Sequence, residues 1–413
     1  MRIVILTQYY PPETGAPQNR LHALTKSFGE LGNEVTVLTA MPNYPQMSIF
    51  ERYSKKLYVK EKEGNVIIHR SAIFVTRSKS VPLRLLNYFS FVITSLVIGL
   101  VKLKKHDVLI CESPPLFLGI SAYLLSRIKR SKLIMNISDL WPESAERLGL
   151  VSNQFLLKLS TRLELFLYKK SILISGQTKG IVSNISSRLK NKPVYWLPNG
   201  ADSALLEDSK IESNWRSENG YRSDQFLLLY AGIIGHAQGL EVILKAASLL
   251  KKNSKIRFII IGSGPELPML IELKKSLMLE NVTFFNPVSK AEMNPILSSI
   301  DAGVVPLKKL ELFKGAIPSK IFELLAFSKP VFLGVDGEAK QLFVEEGKCA
   351  IYFDPENYTD LANKVQQFEE QRDRVIELGS NGRTYVAEYF HRDTIARQFN
   401  IFIHGRLEAE TKK

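Results

Sequence analysis

The chain has 413 residues, of which 45% are hydrophobic and 23% are charged. This length exceeds what one hydrophobic core normally supports and predicts two domains, and the composition excludes a disordered protein or a small disulfide scaffold. Cys111 and Cys349 lie far apart in apolar stretches, which indicates neither a zinc knuckle nor a redox pair and fits a reducing cytoplasm. The first apolar run ends at Thr7 and is shorter than the core of a signal peptide, so we expect no export by that route.

The charge is distributed unevenly along the chain. Residues 1–195 contain 28 Lys and Arg against 12 Asp and Glu, whereas the remainder contains 27 against 29, so the first half carries the whole positive excess of the net charge of +14. Such a half is expected to bind an anionic partner, namely nucleic acid, an anionic membrane leaflet or a phosphorylated ligand. The alternative is a solvated basic surface without a partner.

In chain order, a strand-like run at 3–7 leads through a loop with Pro and Gly into a helical pattern at 20–31, and a second strand is predicted at 34–40. Further strand-like runs alternate with helical stretches, at 66–70, 108–112, 133–137, 172–175 and 194–197 and, after a Pro-Asn-Gly turn, at 226–232, 256–262, 282–285, 302–306, 331–335 and 350–353. Continuously apolar strands of this kind are typical of parallel sheets covered on both faces. We therefore predict two α/β domains, residues 1–198 and 199–390, and a last helix within 391–413 that crosses back onto the first.

Residues 87–103 form an apolar helical run with no charge before Lys102, and basic residues flank the run at both ends (Arg77, Lys79, Arg84, Lys104 and Lys105). A run of about 17 residues is short for a spanning helix, and its Ser, Thr and Asn lower its hydrophobicity. We expect a helix that packs on the first domain and dips into a membrane interface, with a buried core helix as the alternative. A second amphipathic pattern, at 155–168, would extend the same surface.

Three loops with glycine each follow a predicted strand. The first contains Gly15, the second contains Gly232, Gly235 and Gly239, and the third contains Gly262 and Gly264. Glycine permits close approach of the backbone to a ligand, and amides at the start of a following helix can receive phosphate oxygens. The second loop lacks the Walker pattern and the third lacks the last glycine of a dinucleotide fingerprint, so neither a nucleoside triphosphatase nor a nicotinamide dehydrogenase is indicated. His236 is either a phosphate donor or a surface histidine.

The most specific motif spans residues 312–331, in which Pro318 and Ser319 begin a helix. Lys320 lies in the first turn, and Glu323 follows on nearly the same face. The pair predicts a site in which the lysine holds a diphosphate and the carboxylate accepts hydrogen bonds from a diol such as ribose. The alternative is a helix cap formed by Ser319 and Glu323, or a local ion pair.

Together these loops, residues 177–184 and 197–202, and the Pro-Ser-Lys motif with its glutamate resemble the bacterial family 4 glycosyltransferases over nearly the whole chain. Residues 137–144 are similar to the branch that builds O-antigen and capsule polysaccharides, including N-acetylfucosamine transferases. The resemblance implies a GT-B fold, with two Rossmann-like parallel-sheet domains facing across a cleft. It also implies a nucleotide-sugar donor, UDP-linked, held by the C-terminal domain, an acceptor held by the N-terminal domain, and metal-independent transfer with retention and no further cofactor.

The candidate site residues follow from the motifs and this resemblance. The candidate catalytic residues are Lys320, Glu323 and Asp139, and the candidate donor-binding residues are Gly15, Arg20, Gly232, Gly235, His236, Gly262, Gly264, Lys314, Gly315, Ala316, Ile317, Pro318 and Ser319. Many family members have an acid eight residues before the glutamate, where this chain has Gly315, so sugar orientation would fall to the amides of 315–317. Ile233 and Gln238 stand where many members have an arginine and a lysine, so neutralisation of the diphosphate would fall to Lys320, with Lys314 or Arg20.

Glycosyl transfer builds negative charge on the β-phosphate oxygen, and Lys320 with the loop amides is suited to stabilise it. Asp139 would orient the sugar or the acceptor hydroxyl, or else cap the turn before Trp141. A polyprenyl-diphosphate-linked acceptor at the inner leaflet would account for the basic and apolar first domain, so we expect a cytoplasmic enzyme that is peripheral or monotopic on the inner face of the plasma membrane. Binding to nucleic acid is disfavoured because the sequence contains no nucleic-acid recognition motif. A sugar-nucleotide epimerase or hydrolase remains an alternative.

Overall fold

The computed structural model describes residues 1–78, 80–147, 153–207 and 213–411. Lys79, one of the basic residues that flank the apolar run, lies outside these ranges. The chain forms two compact units, which are Met1–Asn199 with Arg392–Lys413 and Gly200–His391.

The first unit is built on an eight-stranded sheet. Its strands are β1 (Arg2–Leu6), β2 (Glu34–Ala40), β3 (Tyr58–Glu63), β4 (Val66–Ser71), β5 (Val108–Ser113), β6 (Lys132–Ile137), β7 (Leu173–Gly176) and β8 (Val194–Trp196). Its first helices are α1 (Ala16–Glu30), α2 (Val81–Lys102), α3 (Leu118–Ile128), α4 (Glu143–Arg147), α5 (Gln154–Lys170) and α6 (Lys179–Arg188). The strand order is β3-β4-β2-β1-β5-β6-β7-β8, and every pair is parallel except β3 with β4.

The edge strand β3 was not predicted from the sequence. Its segment, Tyr-Val-Lys-Glu-Lys-Glu, lacks the continuous apolar character of the other strands and leaves every side chain at least partly exposed. Charged residues of this kind protect a sheet edge from pairing with another chain, so the strand is easily mistaken for a loop. The central strands β1 and β5 are apolar and almost wholly buried, as the parallel arrangement requires.

The second unit contains a six-stranded, entirely parallel sheet. Its strands are β9 (Phe226–Ala231), β10 (Ile256–Ile261), β11 (Val282–Phe285), β12 (Ala302–Pro306), β13 (Val331–Gly334) and β14 (Ala350–Tyr352), in the order β11-β10-β9-β12-β13-β14. Its helices are α7 (Ser203–Glu207), α8 (Trp215–Glu218), α9 (Glu241–Leu249), α10 (Leu267–Ser276), α11 (Lys290–Ser299), α12 (Lys320–Ala326), α13 (Glu338–Lys340), α14 (Tyr358–Glu370) and α15 (Arg372–Tyr389). Two parallel α/β sheets confirm the predicted fold class.

The last helix, α16 (Arg392–Thr411), belongs to the first unit and packs against α1. Phe399 stacks on Phe28 of α1, with ring centroids 6.3 Å apart, and on Tyr195 of β8, with centroids 5.1 Å apart. Ser27 donates a hydrogen bond of 2.7 Å to Asp393, so polar and apolar contacts fix the helix on the same unit.

Each sheet has a point at which the chain order reverses. Strand β9 lies between β10 and β12, and strand β1 lies between β2 and β5. Loops that leave the carboxyl ends of such neighbouring strands diverge to opposite faces of the sheet and open a crevice between them, where ligands of α/β proteins bind. The loops after β9 and β12, and those after β1 and β5, are therefore the places to examine for a site.

Candidate active site

The loop after β9 surrounds the amine of Lys320. Gly232, the first residue of this loop, has φ 141°. The Lys320 Nζ atom lies 2.9 Å from the place where a Cβ on residue 232 would stand. The same atom lies 3.7 Å from the centre of the Tyr230 ring, a cation–π distance. A side chain at position 232 would displace the ammonium group, so this glycine keeps open the place that the lysine occupies.

Lys320 is the first residue of α12, which is fixed by the buried side chains of Ile321, Phe322, Leu324 and Leu325. Burial lowers the pKa of Lys320 to about 7, and the charge of Glu323 acts in the opposite direction. Ser319 has helical torsion angles and its side chain makes no hydrogen bond to the first turn of this described helix, so the capping alternative is not realised there. An anion that binds beside this amine favours its charged form and raises its pKa.

The third glycine loop supports the second by close backbone packing. A Cβ on Gly262 would lie 1.9 Å from the carbonyl oxygen of Gly232, and a Cβ on Gly264 would lie 2.2 Å from that of Ile234. The Ile234 amide donates a 2.9 Å hydrogen bond to the Ser263 carbonyl oxygen. Close backbone packing alone therefore requires glycine at these two positions, whether or not a ligand binds. They fix the shape of the loop that holds the lysine.

The remaining predicted residues of the second unit lie near this loop or in the approach to α12. Gly235 precedes a short 3₁₀ turn, His236–Gln238, and the exposed His236 ring nitrogen Nδ1 lies 2.9 Å from Glu266 Oε1. The turn Glu311–Gly315 places the Lys314 amine 2.7 Å from Glu311, which satisfies that amine locally. The Ala316 amide donates to the Phe313 carbonyl oxygen, so it is engaged within the turn. Gly315, Ile317 and Pro318 complete the partly exposed segment that leads into α12.

In the first unit, Gly15 directly precedes α1, and a Cβ there would lie 2.5 Å from Gln18 Oε1. Arg20, predicted to bind the donor, forms a buried ion pair with Glu112 at the end of β5, with a distance of 2.6 Å. Arg20 also donates a 2.6 Å hydrogen bond to Ser138 Oγ. Glu112 accepts a further hydrogen bond of 2.5 Å from Asn136. The arginine therefore links α1 to the end of β5 and to the residue after β6, and much of its charge is already compensated.

Asp139 follows β6 in the loop after Ser138. Its pKa is raised, chiefly because protein atoms replace water around the carboxyl group, while hydrogen bonds from Ser144 and from the Leu140 amide act against that shift. The turn-capping role that the sequence left open is thus present. It does not compete with a role toward an acceptor hydroxyl, because a carboxylate accepts several hydrogen bonds.

The sequence did not point to Glu112 or to Lys308 as site residues. Glu112 is the one acidic residue in a strand that is otherwise apolar or small, and a buried acid in such a strand indicates a charged partner. Lys308 lies just beyond β12, on the other side of the reversal point from the β9 loop. Within the described ranges, no group of three or more His, Cys, Asp and Glu side chains is placed to hold a metal ion.

Comparisons with known proteins agree with this architecture. Residues 211–385 match the family described as glycosyl transferases group 1. The chain is 25% identical over 420 aligned residues to WcaI of Escherichia coli K12, named as a colanic acid biosynthesis glycosyl transferase, with 98% of this chain and all of that protein covered.

Solved structures give the same fold. Sucrose-phosphate synthase of Thermosynechococcus elongatus superposes with a TM-score of 0.76 at 16% identity over 99% of each chain. Anabaena HepE, in complex with UDP and glucose, gives 0.71 at 17% identity over 98% of this chain and all of that chain. These matches and the two sheets confirm the resemblance to glycosyltransferases seen in the sequence: residues 211–385 match the group 1 glycosyl transferases, and the chain has the two Rossmann-like domains of the GT-B fold.

Proposed function

We propose that this glycosyltransferase moves a sugar from a nucleoside diphosphate, with retention of configuration and without a metal, to a lipid-linked saccharide in surface polysaccharide synthesis. The observation that carries the proposal is Lys320, a mostly buried lysine whose amine lies against Gly232 and Tyr230 at the glycine loop that follows β9. The colanic acid relative and the UDP complex of HepE support the polysaccharide product and the donor class.

The donor diphosphate would lie at the glycine loop, where Lys320 supplies the positive charge. As the anomeric bond breaks, charge builds on the departing β-phosphate oxygen, and a preorganised cation stabilises that charge without reorganising water. Glu323, one turn along α12, would accept hydrogen bonds from the ribose hydroxyls. In this scheme the lysine supplies the charge that a divalent cation supplies in other glycosyl transfers.

The acceptor hydroxyl would be oriented by Asp139, whose raised pKa suits a group that exchanges a proton or accepts a short hydrogen bond. An aromatic row runs from the exposed surface of α2 to this loop. Phe89 of α2 lies 4.8 Å from Phe117, and Phe117 lies 5.4 Å from Trp141, measured between ring centroids. The row would let the lipid of an acceptor lie against α2 while its sugar reaches Asp139.

Helix α2 is the element that would attach the enzyme to a membrane. Among the described residues it contains the one segment, Pro82–Lys102, that is long and apolar enough to cross a bilayer. Of the most apolar 18-residue stretch of this segment, 28% is buried. Phe91, Val92 and Ser95 face the unit, whereas Ile93 and Val101 are 61% and 69% exposed. An exposed apolar side opposite a side that is buried in protein is suited to lie in a membrane interface.

The exposed side of α2 continues onto two neighbouring helices. Leu124 and Ile128 of α3 and Phe155, Leu159 and Phe166 of α5 are exposed, and Tyr123 of α3 contacts Phe166 with centroids 4.9 Å apart. Exposed basic residues belong to the same three helices or directly follow their ends: Lys102, Lys104, Lys105, Arg127, Arg130, Lys158, Arg162, Lys169 and Lys170. An apolar face with basic residues beside it is complementary to an anionic leaflet, so we propose an enzyme that is peripheral or monotopic on the cytoplasmic side of the plasma membrane.

The transferase activity is tested with a panel of UDP- and GDP-linked sugars, including N-acetylated deoxyhexosamines, with and without a polyprenyl-diphosphate saccharide. We expect sugar transfer only when the acceptor is present, with the anomeric configuration retained when the product is read by NMR. Lys320→Ala and Glu323→Ala should each lower turnover at least a hundredfold, while exposed Glu345→Ala should not. Consumption of the donor without acceptor would instead favour an epimerase or hydrolase.

Membrane attachment is tested by cosedimentation with phosphatidylcholine vesicles that contain or lack phosphatidylglycerol. The double variant Ile93→Glu with Val101→Glu should bind anionic vesicles roughly tenfold less, because it places charges in the apolar face. Ile376→Glu is the matched control, since Ile376 is also 69% exposed but lies in the second unit. Equal binding by both variants would remove α2 from the attachment surface, and a mobility shift with DNA would reopen the nucleic-acid alternative.

A further inference from the structure

The glycine loop of the second unit has a lysine at each end. Lys320 stands at Gly232, and Lys308 stands at Gly239, the residue that closes the loop. Gly239 has left-handed torsion angles, with φ 57°, and a Cβ there would lie 3.2 Å from Lys308 Cγ. The second lysine therefore runs along the end of the loop at close contact.

The backbone fixes Lys308 to the loop as well. Its amide donates a 3.0 Å hydrogen bond to the Ala237 carbonyl oxygen, and the amide of Leu307 donates one of 3.0 Å to Gly334 at the end of β13. Lys308 follows β12, which pairs with β9 at the reversal point of the sheet. The two lysines therefore lie on separate segments of the chain, one after β12 and one at the start of α12, and both contact the same loop.

The amine of Lys308 is placed differently from those of its neighbours. Lys309 Nζ lies 2.8 Å from Asp354, and Lys314 Nζ lies 2.7 Å from Glu311, so each is paired with a carboxylate. Lys308 Nζ instead lies 2.9 Å from both ring nitrogens of His236, which is the exposed residue in the middle of the loop. An amine at equal distance from both ring nitrogens lies over the face of the imidazole and not on one lone pair, and Nδ1 of the same ring lies 2.9 Å from Glu266 Oε1. A phosphate oxygen is a stronger acceptor for the ammonium group than this contact, because both partners are then charged.

We propose that Lys308, positioned against His236, is a second phosphate-binding cation of the donor site and acts with Lys320 on the diphosphate. This inference rests on the proposed function, since it requires a nucleoside diphosphate at the glycine loop. A diphosphate has oxygens on two phosphorus atoms, and two cations at opposite ends of one loop neutralise it better than either alone. Because the contact is to phosphate, Lys308 adds affinity for the diphosphate and none for the nucleoside.

The test compares Lys308→Ala with Lys309→Ala by calorimetric titration of UDP, GDP, uridine and guanosine into the full-length protein. Lys309 is adjacent in sequence, more exposed and already paired with Asp354, so its variant controls for the loss of one positive charge from this loop. We expect Lys308→Ala to weaken binding of the diphosphate roughly tenfold or more, with the weak nucleoside affinity unchanged and Lys309→Ala close to wild type. Lys308→Arg should recover part of the loss.

The outcomes separate this inference from the proposed function. If the wild type binds neither diphosphate, the donor site itself is wrong. If the wild type binds one of them and both alanine variants bind it equally, the donor site stands and Lys308 has no part in it. If Lys308→Ala weakens nucleoside and diphosphate binding by the same factor, the lysine shapes the loop without contacting phosphate, and the inference is overturned. Thermal unfolding of each variant checks that the second unit remains folded.

Discussion

Donor binding should depend on pH through Lys320. In the free protein, burial lowers the pKa of this lysine from 10.5 to about 7, so most of the population is neutral above neutral pH. A diphosphate beside the amine stabilises the charged form and returns the pKa toward its ordinary value. Binding above pH 7 must therefore take up a proton, and the affinity must fall as the pH rises toward 10.5.

The size of the effect follows from these two pKa values. Near pH 8 about nine-tenths of a proton should be taken up per diphosphate bound, and between about pH 7 and about pH 9 the affinity should weaken roughly 50-fold. The same shift lowers stability. The pKa of Lys320 is lower in the folded protein than in the unfolded chain, so its protonation favours unfolding. This lowers the free energy of unfolding most below about pH 7, and the reduction disappears as the pH rises toward 10.5. An apolar Lys320→Met variant should then be more stable than wild type by several kcal/mol near pH 6.5, and by about 1 kcal/mol near pH 9.5.

The assay is calorimetric titration of UDP or GDP in buffers of different ionisation enthalpy, which gives the number of protons taken up. Lys329→Met is the matched control, because burial also lowers the pKa of Lys329, whose amine donates to the Ser298 carbonyl oxygen away from the glycine loop. The control should keep the proton uptake, and Lys320→Met should lose both uptake and affinity. Affinity that does not change between pH 7 and pH 9 in the wild type would refute this role of Lys320.

Two further predictions concern the packing behind the site. Gly262→Ala should destabilise the second unit by roughly 2–3 kcal/mol, because the new Cβ would lie 1.9 Å from the Gly232 carbonyl oxygen. Gly405→Ala is the control, because a Cβ at residue 405 in α16 meets open space and should stabilise that helix slightly. Urea unfolding measures both, and an unchanged midpoint for the first would show that the two loops can separate freely. Glu112→Gln should cost about 3 kcal/mol or more, because it removes the carboxylate that balances the charge of the buried Arg20. Asp107→Asn should cost under about 1 kcal/mol, because the ion pair of Asp107 with Arg2 is exposed. Similar losses in these two variants would contradict the burial of the first pair.

The apolar and glycine patterns were sufficient to predict the α/β class and the positions of the loops. Alternation of buried strands with helices depends on local periodicity, which the chain displays directly. The edge strand β3 was not predicted because its charged, exposed side chains are typical of a loop. Helix α1 begins at Ala16, four residues before the predicted start, because Pro17 suits a first helical turn as well as a loop. The Pro-Ser-Lys motif at 318–323 was also visible, since its lysine and glutamate lie one helical turn apart.

The partners of individual side chains required the fold. The order of residues does not show that Lys320 contacts Gly232, or that Lys308 contacts Gly239 in the same loop. It also does not show that Arg20 pairs with Glu112, which is 92 residues away in the chain. These contacts arise where parallel strands distant in the chain become neighbours in a sheet. Burial of a charge and the pKa that follows from it depend on which atoms surround a group in space, whereas periodicity depends on nearest neighbours alone, so the sequence determined the scaffold and the tertiary structure decided its electrostatics.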